Sequence, residues 1–542
     1  MLWTDKAKKI LEKYWGFSKL KEKQIEVINQ LLLGNDVIGL LPTGYGKSMC
    51  YLIPPLVTKK AIIIISPLIS LMDDQKDKLL KKNIPVSALH GNNKNKDKEL
   101  FEIIDGNIKI IYMSPEYLIK GDGFELAKSM IDNNLLGYLA VDESHCISVW
   151  GHDFRPEYMK ISEFREKFPQ IPILAVTATA TTIVKEEISK SLNLTNPVVI
   201  TANFDRPNLY LKCLEYKKEK VEKPKRKKGE LPPEKDLTDI TGDIDLKLLF
   251  PFFEKYKNDK IIIYTNSRIM SVNLANEINK VHPEGRISEA YHAGMSKGVR
   301  EKIQTNFADG KIKIMVSTIA FGMGIDLIVR LVIIIGASSS IEEYWQQIGR
   351  AGRDDKDAET IVFFQYKSLA IAEAMLKEVK NPLVKRSRQN NIFAMKKYFY
   401  LKTCRRKFVL KHFNQPPKFF TCNKCDNCCE NPLVDITGVV WTYYFKKEIK
   451  NPHLSKKQIE YILQNLKRIN SKSVFSELDL DIWLRYVKEK KFTIENLPDN
   501  LHIKIPQVTL SIIDDTEVDA EVDEITKCEK ILNQLKIEDF IY

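Results

Sequence analysis

Arginine is scarce in this chain of 542 residues: of 84 basic residues only 16 are Arg, and none precedes Arg155. Lysine serves wherever a point charge suffices, so a retained Arg marks either a place that needs a rigid fork of donors or chance. Glycine and proline number only 23 each, which excludes a collagenous or low-complexity chain. With 44% hydrophobic and 29% charged residues, a wholly disordered chain is excluded too. Long apolar runs are missing. None approaches the roughly 18–20 residues that span a bilayer, and the N-terminal MLWTDKAKKILEKYW lacks the apolar stretch of a secretory signal. The expectation is a soluble, intracellular protein with no membrane partner, in nucleus or cytoplasm according to its source. Cysteine is sparse outside one cluster. Cys50, Cys146, Cys213 and Cys528 are isolated, whereas Cys404, Cys422, Cys425, Cys428 and Cys429 crowd together. In an intracellular chain such crowding argues for metal rather than disulfides.

At about 150 residues per domain the length predicts three or four domains. The net charge is +13, which favours a polyanionic partner. Nearly all of it resides between Lys377 and Cys428, where 14 Lys and Arg face two acids, a net of +12. That segment is expected to hold nucleic acid electrostatically. The apolar runs DVIGLL, AIIIIS, IKIIYMS, GYLAVD and ILAVTAT, and later IIIYTN, IMVST and VRLVIII, read as buried parallel strands. Amphipathic helical stretches alternate with them, so the fold class is α/β with two doubly wound parallel sheets. The predicted division is a first lobe over 1–212, a linker or insert over 213–250, a second lobe over 251–365, a helical zinc-binding subdomain over 366–432, a winged helix over 433–510 and an acidic tail over 511–542. The linker contains PKRKK, readable as a solvated loop or a nuclear-import signal.

The run DVIGLLPTGYGKSMCYLIPPL is a strand, a glycine-containing loop and a helix start. Backbone N–H groups of such a loop, with the helix N-terminus, cradle phosphates. Lys47 would reach the β- and γ-phosphates, and the Ser48 hydroxyl would ligate Mg²⁺. The general GxxxxGK[ST] pattern fails at Leu41, but PTGxGKS is met in full. A second apolar strand ends in Asp142 and Glu143, neighbouring carboxylates that point differently. Asp142 would hold Mg²⁺ through water, and Glu143 would polarise the attacking water. In QQIGRAGRDD, Arg350 and Arg353 lie three apart and share a helix face. They would stabilise charge on a γ-phosphate or bind nucleic acid phosphate. The spacing C-x17-C-x2-C-x2-C from Cys404 through Cys422 and Cys425 to Cys428 supplies four thiolates for tetrahedral Zn²⁺, with Cys429 competing for the last place.

These pieces, in order over roughly residues 10–430, resemble a RecQ-family ATP-dependent DNA helicase of superfamily 2. FSKLKEKQ resembles the family's adenine-recognition motif, which implies that Phe17 stacks on the base and Gln24 reads it, with Lys21 where Arg is usual. PTGYGKS, SPLISLMDDQ, DESH, AVTATAT, YTNSR, YHAGM, STIAFGMGID and QQIGRAGRD resemble its successive helicase motifs. The resemblance implies two RecA-like lobes, nucleotide contacts from Thr43, Gly44, Gly46 and Asp326 and a catalytic place for Gln347. It also implies DNA or coupling roles for Ser66, Pro67, Thr177, Ser267, Arg268, Ser317 and Thr318. CISVWGHDFRPEY, residues 146–158, resembles the family's aromatic-rich loop. Trp150 and Phe154 offer faces for base stacking, beside His152 and Arg155. The resemblance also favours Cys428 over Cys429 as the fourth zinc ligand.

The departures are specific. GMGIDLIVR is one residue short and lacks a Lys-Pro, Gln347 replaces a usual Glu, and Val149 replaces Gln. The implied activity is ATP-driven unwinding of duplex DNA by translocation on a single strand, 3′ to 5′, in repair, recombination or replication. ATP, Mg²⁺ and Zn²⁺ are the cofactors, and single-stranded and tailed or forked DNA the partner. Protein partners are not readable. The alternatives are an RNA helicase of the DExH type and a DNA-annealing scaffold with a decayed motor.

Overall fold

A computed structural model describes residues 2–430 and the short strands Leu433–Asp435 and Lys504–Pro506, apart from 92, 94, 95, 149–153, 179, 180, 217–243, 322–326, 418 and 420. The winged-helix expectation over 433–510, the acidic tail, PKRKK and the site candidates Trp150, His152 and Asp326 fall wholly or largely outside the described residues. The chain divides into two compact units. One comprises Met1–Leu209, Leu214–Met395 and His412–Gln415, and the other Tyr210–Cys213, Lys396–Lys411 and Pro416–Tyr542.

Among the described residues, the first unit holds a seven-stranded sheet built from β1 (Val37–Leu40), β2 (Ala61–Ile65), β3 (Val86–Leu89), β4 (Ile110–Met113), β5 (Leu136–Val141), β6 (Ile173–Thr177) and β7 (Val198–Thr201). Their order is β3-β4-β2-β5-β6-β1-β7 and all pairings are parallel. Ala61–Ile65 shows why these segments become strands. All five residues are buried, so helices cover both sheet faces and the strand is apolar throughout instead of alternating. Val37, Ile62, Ile64, Tyr112, Ala140, Leu174 and Val176 form one continuous core.

A six-stranded sheet follows, from β8 (Leu209–Glu215), β9 (Ile261–Thr265), β10 (Ser288–Tyr291), β11 (Ile314–Ser317), β12 (Leu331–Ile335) and β13 (Ala358–Phe364), ordered β10-β11-β9-β12-β13-β8. Strands β9 to β13 pair in parallel. The chain enters this sheet at Leu209, at the end of the predicted first lobe and just before the predicted linker over 213–250, not at the predicted second-lobe start, 251. Parallel strands place their C-terminal ends along one edge of each sheet, where ligands of open α/β sheets bind. The phosphate loop follows β1, SPLIS follows β2, DESH follows β5, ATAT follows β6, NSR follows β9 and the Thr318 segment follows β11.

The second unit is smaller. Its described part contains most of the helix Arg405–His412, the short helix Asp426–Cys429 and an antiparallel pair of β14 (Leu433–Asp435) with β15 (Lys504–Pro506).

Candidate nucleotide site and zinc centre

The turn after β1 depends on two glycines with left-handed backbone, Gly44 at φ 82° and Gly46 at φ 88°. Gly46 caps the helix Lys47–Thr58. A Cβ there would stand 2.6 Å from Gln24 Nε2, so a side chain would displace that amide as well as strain the backbone. The loop amides and helix N-terminus form an anion cradle. Lys47 Nζ lies 3.0 Å from Glu143 Oε1. Glu143 itself has φ 47° and ψ 46°, a left-handed conformation that costs a non-glycine residue on the order of 1–3 kcal/mol. That turn lets Asp142 and Glu143 present both carboxylates at one strand end. Glu143 Oε2 is 3.3 Å from His145 Nδ1, which also contacts Thr177 Oγ1 at 2.8 Å, joining DESH to the segment after β6.

The two acids titrate in opposite directions. Burial and the adjacent Glu143 charge push Asp142 above the usual carboxylate range. Burial would also raise Glu143, but Lys47 and His145 more than offset it and hold that carboxyl low. Tyr51 donates to Asp142 Oδ2 at 3.3 Å, and Tyr158 donates to the Asp142 carbonyl at 3.3 Å. Tyr158, the last residue of the aromatic-rich loop, is fully buried and ties the end of that loop to the acidic site.

Phe17 is half exposed at the rim. Lys21 extends over the Tyr45 ring at 4.8 Å and reaches the Gly44 carbonyl at 3.4 Å. Gln24 accepts from the Lys21 amide and donates to the Tyr45 and Gly46 carbonyls, so its amide edge is aimed at the phosphate loop. From the second lobe, Arg353 Nε comes within 4.0 Å of where a Gly44 Cβ would stand, and Thr43 Cβ lies 3.3 Å from that of Gly349. The second lobe thus closes directly on the loop. Arg350 and Arg353 both lie close enough to Tyr264 to act on its hydroxyl, which burial pushes up and the two guanidinium groups pull down. Gln347, read from sequence as catalytic, spends its amide inside the second lobe, accepting from Ser338 and donating to Glu343.

Sequence reasoning missed the residues that hold the arginine loop. Arg206 donates to the carbonyls of Gly349, Ala351 and Gly352, and Asn208 to those of Gly352 and Lys356. Both sit on the segment that crosses between the lobes, where FDRPN gave no chemical signal beyond one scarce Arg.

The DNA candidates differ from the expectation of a direct side-chain grip. Ser66, Thr177 and Ser317 are buried. Ser317 is bonded to the Tyr291 and Thr318 carbonyls, and Ser267 caps the helix Arg268–Val281. Thr318 Oγ1 accepts from the Ala320 amide, and Arg268 is exposed beside His292 and Gly294. Phe154 is half-buried, and Arg155 Nη1 donates to the Pro67 carbonyl at 2.5 Å, joining the aromatic-rich loop to SPLIS.

In the second unit the sulfurs of Cys404, Cys422, Cys425 and Cys428 lie within 4.8 Å of one another. Tetrahedral zinc with Zn–S bonds of about 2.3 Å needs sulfurs about 3.8 Å apart, so the set fits with a slight contraction. Cys429 is exposed and outside the set. Hydrogen bonds from Cys404 and the other thiols draw Cys422 down, while Cys404, Cys425 and Cys428 are pushed up within the same cluster. Lys407 and Lys424 amides donate to Cys404 and Cys422 sulfurs, and Asn427 ties Leu401 and Thr403. Arg405 pairs with Asp426, which also accepts from the Cys213 amide.

Two parallel α/β lobes with a phosphate loop, paired acids and a second-lobe arginine define an ATP-driven motor of the helicase class. The profiles of three families match in order: DEAD/DEAH box helicase over 21–187, helicase conserved C-terminal domain over 244–355 and RecQ zinc-binding over 356–429. The chain is 35% identical to ATP-dependent DNA helicase RecQ of Haemophilus influenzae, across 81% of this chain and 67% of that one. It is 40% identical to a protein of Acanthamoeba polyphaga mimivirus, across 78% of this chain and 72% of that one. That protein is named as an ATP-dependent RNA helicase, an assignment its own name marks as provisional. A solved structure of the DUF1998 helicase MrfA bound to DNA and AMPPNP shares the fold, with TM-score 0.53 and 18% identity over 75% of this chain and 57% of that one. The chain belongs to the RecQ family of ATP-dependent DNA helicases. It uses ATP with Mg²⁺, binds DNA and carries the family's zinc-binding subdomain. Among the described residues no helix is long and apolar enough to cross a membrane.

Proposed function

We propose that the chain translocates 3′ to 5′ on single-stranded DNA and separates tailed or forked duplexes inside the cell, in nucleus or cytoplasm, with the following division of labour. Lys47 and the loop amides bind the β- and γ-phosphates, and Phe17 and Gln24 hold the base. Ser48 and Asp142 hold Mg²⁺, which when bound offsets charge on the phosphate oxygens. Glu143 orients the attacking water and accepts its proton. Arg353 stabilises the charge that develops on the transferred phosphoryl group.

The observation that carries this reading is the placement of Arg353 against Gly44, because it makes the hydrolytic set complete only when both lobes contribute. Nucleotide turnover then opens and closes the cleft. The aromatic-rich loop, tied to Asp142 through Tyr158 and to Pro67 through Arg155, relays DNA occupancy to the acids. Lys47→Ala should abolish ATP hydrolysis and leave DNA binding intact, whereas Trp150→Ala should lower DNA-stimulated ATPase more than basal ATPase. Equal loss of both activities in the Trp150 variant would remove the coupling role.

A second reading, unwinding of RNA, is favoured by the name of the mimivirus relative. ATPase stimulation by DNA and RNA strands of one sequence decides between them.

A further inference from the structure

His412 ends the helix that begins next to Cys404, and Phe413, Asn414 and Gln415 follow it, yet all four pack within the first unit. Each makes a different contact there. His412 Nε2 lies 2.7 Å from Glu342 Oε1. The Phe413 ring stacks on Phe204 with centroids 5.1 Å apart and planes 16° from parallel, and it also meets the His412 ring at 5.4 Å and Trp345 at 6.3 Å. Asn414, in a left-handed conformation, donates to Thr182 Oγ1 at 2.8 Å. The Gln415 side chain accepts from the Phe204 amide at 2.8 Å and donates to the Ala202 carbonyl at 2.9 Å, pairing with this stretch as a neighbouring strand would.

These four residues therefore meet the first lobe, the crossing segment and the second lobe together. Phe204 is held at both backbone groups, its N–H by Gln415 and its carbonyl by Trp345 Nε1 at 3.2 Å. Two residues later, Arg206 grips the carbonyls of Gly349, Ala351 and Gly352. Glu342 and Trp345 belong to the helix Ile341–Ile348, which runs straight into that same loop. Both supports of the loop bearing Arg353 are thus touched by the 412–415 segment, and packing that buries Phe204, Phe413 and Trp345 leaves little slack.

We propose that His412–Gln415 is a positioning strap for the arginine loop: it fixes the crossing segment and the helix Ile341–Ile348 so that Arg353 meets the phosphate loop. None of the four is among the residues assigned above to the nucleotide. The strap rests on the hydrolytic role given to Arg353 above.

The test uses the full chain and compares wild type with His412→Ala combined with Gln415→Ala, with His412→Gln, and with Gln415→Glu. Steady-state ATPase with saturating single-stranded DNA is measured alongside ATP KM, DNA affinity, zinc content and thermal unfolding. The double variant should lose about 5–10-fold in kcat, with ATP KM, DNA affinity and zinc content within about twofold of wild type. His412→Gln keeps a donor for Glu342 and should retain at least about half the rate. Gln415→Glu keeps the acceptor for Phe204 but loses the donor to Ala202. Being the milder change, it decides the matter if the double variant fails to fold, with a loss of about threefold expected. Wild-type kcat in both Gln415 variants overturns the strap, as does a loss of kcat matched by loss of zinc or ATP affinity. A wild-type chain without DNA-stimulated ATPase would refute the functional reading itself and the strap with it.

Discussion

The nucleotide cleft and the zinc unit both bury charge, and they do so in opposite ways. In the cleft, charged groups rest on contacts that a phosphate group would replace: Lys47 on Glu143 and Lys21 on the Gly44 carbonyl. Glu143 holds a strained backbone as well. Around the cysteines, polar groups are tied to fixed partners. Arg405, Asp426 and the Cys213 amide form a closed set, and Asn427 bridges two carbonyls. Exchangeable pairing marks the place where ligand comes and goes, and closed pairing marks a scaffold. Four protein sulfurs leave no open position on a metal, so that centre is structural.

Substitutions should divide along the same line. Lys47→Ala should give the largest effect, a fall of ATPase to background, with thermal unfolding nearly unchanged because its partner Glu143 keeps His145. A large drop in unfolding temperature would show that the pair is scaffold. Arg353→Ala comes next, with kcat lowered on the order of 10²–10³-fold and little change in ATP KM; a rise in KM alone would make it a ground-state contact. In the zinc unit, Cys428→Ser should release zinc and lower the unfolding temperature, whereas Cys429→Ser should retain both, as metal analysis and calorimetry would show. Loss of zinc from the Cys429 variant would overturn the ligand set. Tyr158→Phe should have the smallest effect, about 2–5-fold in DNA-stimulated ATPase, from loss of one hydroxyl on the Asp142 carbonyl. An equal fall in basal ATPase would move Tyr158 from relay to scaffold.

The strands were legible because a parallel strand covered on both faces must be apolar throughout, as in AIIII and LVIII. Lys47, Asp142, Glu143 and Arg353 were legible because phosphate chemistry restricts residue type and spacing. The second lobe's grip was not legible. Arg206 reaches carbonyls about 145 residues away, and Gln415 meets Phe204 across 211 residues. Backbone carbonyls as partners leave no trace in side-chain patterns. The left-handed turn at Glu143 was equally hidden, since nothing in DESH requires it. Ser66, Thr177 and Ser317 read as DNA ligands because small hydroxylated residues at strand ends serve that purpose as well as structural ones, and the structure buries all three.

The basic segment from Lys377 to Cys428 adds an ionic contribution, so DNA affinity should fall steeply as salt rises. The central claim is that hydrolysis in a cleft shared by two lobes drives strand separation. Its most direct measurement is unwinding of 3′-tailed and 5′-tailed duplexes with ATP and Mg²⁺, by wild type and by Arg353→Ala. The account predicts separation of the 3′-tailed duplex by wild type and none by the variant. Unwinding that persists without Arg353, or that fails in wild type while ATP is hydrolysed, would contradict it.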